Sequence, residues 1–144
     1  MAILNNKIFF ELLHEDDQPK KTIFTPNADL LKHARVIEVG HQVERPKESD
    51  IITLPVTTMI MTEKSKGFCS ERDVIFVNGI PSEGKIHINK QSKEGITLLL
   101  NANVISSNSS DVQKGDTIFY REGQSMQLPD NTEIISEKSV YYKK

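Results

Sequence analysis

Two separated stretches of this sequence recur at one fixed distance. Ser49-Asp50-Ile51-Ile52 aligns with Gly115-Asp116-Thr117-Ile118, and Ser70-Glu71-Arg72-Asp73-Val74 aligns with Ser136-Glu137-Lys138-Ser139-Val140, both at an offset of 66. A repeat constrains the architecture more than local propensity does, because each copy has to be a small unit of its own. Earlier segments also align: Lys7-Ile8-Phe9 with Lys85-Ile86-His87 at 78, and residues 36–43 loosely with 97–104 at 61. The fall from 78 to 61 predicts 17 fewer residues between the first two strands of the second copy. The turn-forming stretch Asn78-Gly79-Ile80-Pro81-Ser82-Glu83-Gly84 separates the copies, giving units 1–80 and 81–144. A 144-residue chain has no room for a two-domain doubly wound enzyme.

Within each copy, runs rich in Ile, Val, Phe and Thr suit a pleated, half-buried surface. Strands are expected over residues 7–13, 35–39, 51–54, 59–61, 74–77, 85–89, 96–101, 117–121 and 140–142. Gly or Pro punctuates them from Pro26 to Pro129. Residues 27–33 are the one stretch where a turn or two of helix competes with loop, with Asn27 as its N-cap. Many short strands with frequent turns predict an all-β protein, a barrel or a sandwich. Alternation points Ile8, Phe10, Val36, Val39 and Ile52 inward in the first copy, and Ile86, Ile88, Ile118 and Val140 in the second.

Charge limits the partners. Eighteen Lys+Arg against 20 Asp+Glu leave a net charge of -2, and duplex binding draws its affinity from phosphate neutralisation, so no nucleic acid is expected. The aromatic and basic tail Tyr141-Tyr142-Lys143-Lys144 is too short for a single-strand site, and predicts an edge strand whose lysines discourage further pairing. Cys69 is the single cysteine, so no internal disulfide, no structural zinc and no cofactor are expected. No basic segment leads into a long apolar run, which predicts a cytoplasmic protein without membrane contact. Asn108-Ser109-Ser110 matches a glycosylation pattern and is expected to form a polar turn.

Enzymatic signatures are missing from the sequence. There is no GxGxxG fingerprint, and no Gly-x-Ser-x-Gly elbow surrounds Ser70, so Glu71 and Asp73 are expected as turn and strand-entry residues. His14, His33, His41 and His87 fall on different elements, as ordinary surface or loop histidines do. Met59-Ile60-Met61 predicts a strand partly facing the core.

The most polar stretch near the start, HEDDQPKK over residues 14–21, precedes Thr22-Ile23-Phe24-Thr25. Two readings of it stand side by side. Ile23 and Phe24 begin a strand and tuck into the core, or they tip a mobile binding loop that orders on a partner.

The order of motifs resembles the co-chaperonin family, the GroES-like lids of large chaperonin rings. The quoted residues are Lys7-Ile8-Phe9-Phe10, then Ile23-Phe24-Thr25-Pro26 after the charged stretch, Arg35-Val36-Ile37-Glu38-Val39-Gly40, Ser49-Asp50-Ile51-Ile52, and Ser70-Glu71-Arg72-Asp73-Val74. Only 41–48 lies where bacterial members carry a roof hairpin, which makes phage-encoded co-chaperonins the nearer likeness. The resemblance implies two GroES-like β-barrels in tandem, the first with a mobile loop over 14–34 and the second without one. It implies that Thr22, Ile23, Phe24 and Thr25 contact a nucleotide-bound chaperonin ring, and that unfolded proteins are enclosed in the cage. Neighbouring subunits of a homo-oligomeric ring would pair edge strands, residues 7–13 against 74–77 or 86–89 against 140–142. A structural or assembly β-barrel that oligomerises through its edges, without chaperonin binding, is the alternative.

Overall fold

A computed structural model describes residues 2–18, 31–90 and 99–144. The chain divides into two compact units, Met1–Gly79 and Ile80–Lys144. The first contains strands β1 (Lys7–Leu12), β2 (Leu31–Val39), β3 (Ile51–Pro55), β4 (Ile60–Met61), β5 (Lys66–Ser70) and β6 (Phe76–Val77). The second contains β7 (Ile80–Pro81), β8 (Lys85–Lys90), β9 (Leu99–Ser107), β10 (Thr117–Arg121), β11 (Ser125–Gln127), β12 (Glu133–Ser136) and β13 (Val140–Lys143). Helical structure among the described residues is limited to three-residue 3-10 turns. The protein is all-β.

In the first unit the strands are hydrogen-bonded in the order β4-β5-β1-β2-β3-β6, and in the second in the order β11-β12-β8-β9-β10-β13. These are the same order, antiparallel at each of these pairings. Register matches as well. Ile8 faces Val39 and Ile86 faces Ser107, and both ladders then slip at one bulge, Phe9/Phe10 in the first unit and His87/Ile88 in the second.

Equivalent residues lie 78 apart in β1 and β8, 68 apart in β2 and β9, and 66 apart in the remaining strands. This corrects the offset of 61 expected for the second strand. An error of seven is odd, so it would turn each buried side chain to the opposite face; the buried Ala34 and Val36 in fact match the buried Ala102 and Val104. The second unit is therefore shorter by ten residues between its first two strands, not 17: residues 13–30 separate β1 from β2, and 91–98 separate β8 from β9.

Strand boundaries depart from expectation where pairing outweighs propensity. Residues 31–33, expected as helix or loop, begin β2 opposite β3, with Leu31 against Pro55; residues 27–30 of that stretch lie outside the described residues. The sequence Lys66-Gly67-Phe68-Cys69-Ser70 has weak strand character but becomes β5 because it pairs along the length of β1. Likewise β11 and β12 were not expected, and β9 extends to Ser107, six residues beyond the expected end at 101, while residues 96–98 of that expectation lie outside the described residues.

Each unit has one core. Ile8, Phe10, Ala34, Val36, Ile52, Leu54, Cys69 and Val74 form the first, with Val39 packed against it. Ile86, Ile88, Leu100, Ala102, Val104, Val112, Ile118, Tyr120 and Ile135 form the second, with Val140 against it. Side chains from strands as far apart as β5 and β3 meet in one cluster, so the sheet coils about its own inner face. Burying each large apolar side chain contributes roughly 1.5 to 3 kcal/mol. Hydrogen bonding closes neither sheet into a barrel among the described residues. Nor are β1 and β8 edges, as ring pairing would need: each is bonded on both sides, β1 by β2 and β5, β8 by β9 and β12. The bulged, centrally paired β1 has no spare ladder to offer a neighbour.

Turns repeat too. Ser49 and Asp50 exchange backbone bonds with Val36, as Gly115 and Asp116 do with Val104. In each turn a carboxylate caps the loop: Asp50 Oδ2 accepts from Lys47 N at 3.0 Å, and Asp116 Oδ2 from Gln113 N at 2.9 Å. Both turns need a left-handed residue, filled by Ser49 (φ 73°) in one and Gly115 (φ 92°) in the other.

Candidate functional site

Thr22, Ile23, Phe24 and Thr25, the expected contact residues, lie outside the described residues, as do 19–21 and 26–30 of the expected loop. What is described is the root from which that segment leaves and to which it returns. On the leaving side, His14 starts a 3-10 turn, Glu15–Asp17, its ring nitrogen accepting from Asp16 N at 3.3 Å. Gln18 ends the turn in an extended conformation (φ -86°, ψ 159°), as the following Pro19 requires. On the returning side, Leu31 and Ala34 are buried in β2, so the sheet begins four residues before Arg35, the residue expected to start it.

Between these sides the Gln18 side chain makes three hydrogen bonds. Its Oε1 accepts from His33 N at 2.6 Å, and its Nε2 donates to Leu13 O and His33 O, both at 2.9 Å. Leu13 N also donates to His33 O at 3.1 Å. His33 in turn reaches across to β3, its Nδ1 2.7 Å from Thr53 Oγ1. Gln18 and Thr53 are two of three buried polar residues described in the chain, the third being Ser70. Burial holds the His33 imidazole below its ordinary pKa, so it is neutral at physiological pH and its bond to Thr53 costs no buried charge.

The charged motifs expected as turns are turns. Ser70 and Asp73 form a reciprocal capping box around the 3-10 turn Glu71–Asp73, and Glu71 Oε2 accepts from Glu44 N and Arg45 N at 2.8 and 3.0 Å. Cys69 is buried beside them; desolvation first, then the Asp73 charge, pushes its thiol up to about 12, which keeps it protonated and a poor nucleophile. Asn108 follows β9 directly and donates through its side chain to Pro81 O at 3.0 Å. His14 and His41 are exposed.

His87 lies on β8 with its Nε2 2.6 Å from Thr132 Oγ1, which donates to Asp130 Oδ1 at 2.5 Å. Burial lowers its pKa, and Asp130 partly offsets that. Among the described residues no group of three or more His, Cys, Asp or Glu is placed to hold a metal ion. No helix of the described residues is long and apolar enough to cross a membrane.

Two exposed surfaces carry apolar groups. On β4, Ile60 and Met61 are 68% and 41% exposed, while Met59 packs on the core; the expectation of a partly core strand holds for Met59 alone, because β4 ends its sheet. Behind Ile60 in the same cross-strand row stand Phe68 and Phe9, ring centroids 4.8 Å apart. On β13, Tyr142 stacks on Phe119 at 4.3 Å and 7°, Lys144 Nζ lies 5.8 Å from that ring, and Lys143 pairs with Asp116 at 3.3 Å. The tail is an edge strand carrying lysines.

Sequence reasoning missed Gln18 and Thr53. One signal was present, since a residue before proline is held extended and so can place its side chain alongside a strand.

Comparison with protein-family models, with curated proteins and with solved structures finds no match to this chain.

Proposed function

We propose that the chain is a non-enzymatic co-chaperonin of phage type, in which each unit is a GroES-like small barrel and the segment containing Thr22, Ile23, Phe24 and Thr25 binds a nucleotide-bound chaperonin ring. One observation carries the reading. The two units share strand order and register, and their largest difference is ten extra residues between β1 and β2 of the first unit, the interval that holds the apolar triplet. A duplicated scaffold that lengthens one connection and carries Ile23 and Phe24 there has room for a contact that the other unit lacks.

The energetics suit a reversible lid. Burying Ile23 and Phe24 in an apolar groove contributes roughly 3 to 6 kcal/mol gross, and ordering each residue of the segment opposes it by about 1 to 2 kcal/mol. One contact is therefore weak, and several on one oligomer raise avidity by orders of magnitude without new chemistry. ATP hydrolysis belongs to the partner, and the enclosed cage takes unfolded proteins in the host cytoplasm. The test is capture of a bacterial chaperonin ring with ATP or ADP. Ile23→Ser with Phe24→Ser abolishes capture under this reading; capture that survives the double substitution refutes it.

A specific observation favours a second reading. Because β1 and β8 are paired on both sides, oligomerisation has to use sheet ends, and β4 presents Ile60 and Met61 without a charge of its own. An assembly protein joined through β4 would form oligomers that Ile60→Lys disperses and that never join a chaperonin.

A further inference from the structure

We propose that Gln18 is the positioning residue of the long connection: its side-chain amide is inserted into the last pair of the β1–β2 ladder and, through His33 and Thr53, fixes the root of residues 19–30 to three strands. The regular ladder runs from Ile8 opposite Val39 to Leu12 opposite Ala34. The next pair is Leu13 with His33. One half of its exchange is direct, Leu13 N to His33 O. The other half runs through Gln18, whose Oε1 accepts from the His33 N–H while its Nε2 donates a hydrogen bond to Leu13 O. A primary amide has the donor and acceptor of a peptide group, so it bridges the two strands as a short third strand would.

Comparison between the units gives this arrangement its meaning. The second-unit counterparts of His33 and Thr53 are Asn101 and Phe119, opposite each other in β9 and β10, and Phe119 is stacked on Tyr142. The polar root thus occurs in the unit with the longer connection, and an aromatic surface pair stands in its place in the other. Burying Gln18 and Thr53 demands that their polar atoms be satisfied, and the three bonds of Gln18 use both ends of its amide. Both ends of the connection are thus tied at a single amide, which reduces the chain length between its fixed points.

That the segment so rooted contacts a partner rests on the proposed function, and the experiment separates the two. Gln18→Ala and Gln18→Glu are compared with Ile23→Ser/Phe24→Ser by residue-resolved amide exchange and by chaperonin capture. The carboxylate of Gln18→Glu keeps an acceptor for His33 N but has no donor for the two carbonyls. Gln18→Ala, which removes the acceptor, should raise exchange at His33 about tenfold or more, with the amides of Ala102 and Ile118 unchanged, and weaken capture by a similar factor, while Gln18→Glu should raise His33 exchange less. Unchanged exchange at His33 overturns the proposal. Raised exchange with undiminished capture, where Ile23→Ser/Phe24→Ser abolishes capture, overturns the positioning role. Capture indifferent to Ile23→Ser/Phe24→Ser removes the functional reading alone and leaves Gln18 judged by exchange. Should Gln18→Ala fail to fold, Gln18→Met, which keeps the length of the side chain but offers His33 N no amide acceptor, takes its place, and exchange at His33 that does not rise in that variant counts equally against the proposal.

Discussion

The two units carry one wiring diagram in two chemistries. Counterparts of equal backbone role differ where the surroundings differ: Leu54 and Tyr120 fill the same core position, yet Tyr120 brings a hydroxyl into it, and desolvation first, then the Glu133 charge, pushes that phenol up to about 12, with the Ser125 hydroxyl pulling the other way. Gly67 and Glu133 are likewise equivalent. A Cβ at Gly67 would lie 2.7 Å from Ile60 O, whereas Glu133 in β12 accepts from Ser125 Oγ at 2.5 Å. The difference teaches that strand order and register tolerate an exchange of apolar for polar contacts at the end of the sheet, provided that the inward rows of β1, β2, β3 and their counterparts stay apolar.

The strongest break in the comparison should come from those rows. Ile52→Ala and Ile118→Ala, both fully buried at equivalent places, are expected to cost about 2 to 5 kcal/mol each, read as loss of amide protection in the substituted unit. Next, Gly67→Ala should cost about 1 to 3 kcal/mol by forcing Cβ against the β4 backbone, while Glu133→Ala, at the equivalent site, is expected to cost less; paired urea titrations order the two. Smaller still is the turn before β3. Ser49→Gly should stabilise by about 1 kcal/mol by relieving a left-handed serine, and Gly115→Ser should destabilise by about the same amount, both visible as shifts in Tm.

Acidity sharpens the comparison with the smallest effect. His33 and His87 have folded pKa values below the ordinary 6.5, so below about pH 6.5 the unfolded chain binds more protons than the folded one. Stability therefore falls as pH drops from 6.5 through the folded pKa values and is level above. His33→Gln should flatten this dependence in the first unit and His87→Gln in the second, as followed by urea titration between pH 7.5 and 5.

Much of this was legible in the sequence. Apolar residues alternating in β1, β3, β8 and β10 marked inward positions such as Ile8, Phe10, Ile52, Ile86, Ile88 and Ile118, because burial on one face leaves a period of two. The shared Gly-Asp and Ser-Asp turns showed the repeat, since the capping carboxylate and left-handed residue are demanded by the backbone. What stayed hidden depends on partners far along the chain. The strand β5 owes its existence to β1, β12 to β8 and β11 to β12, and apart from the short pair Ile134-Ile135 no local run of Val or Ile announces them. Gln18 sits in a run of charged residues and acquires its role only when Leu13 and His33 come together. Letter matching misplaced β9 by seven because β2 and β9 share burial pattern and not residue identity.

The central claim is that the extra length between β1 and β2 makes the first unit the one that binds. Native mass spectrometry of the protein with a bacterial chaperonin ring, with and without ATP, tests it against a variant lacking residues 19–28, which gives the first connection the length of the second. The account predicts a nucleotide-dependent complex for the full chain and, for the shortened one, a folded protein of unchanged oligomeric state that never joins the ring. A shortened chain that still joins the ring, or a full chain that joins no ring under any nucleotide, would contradict it.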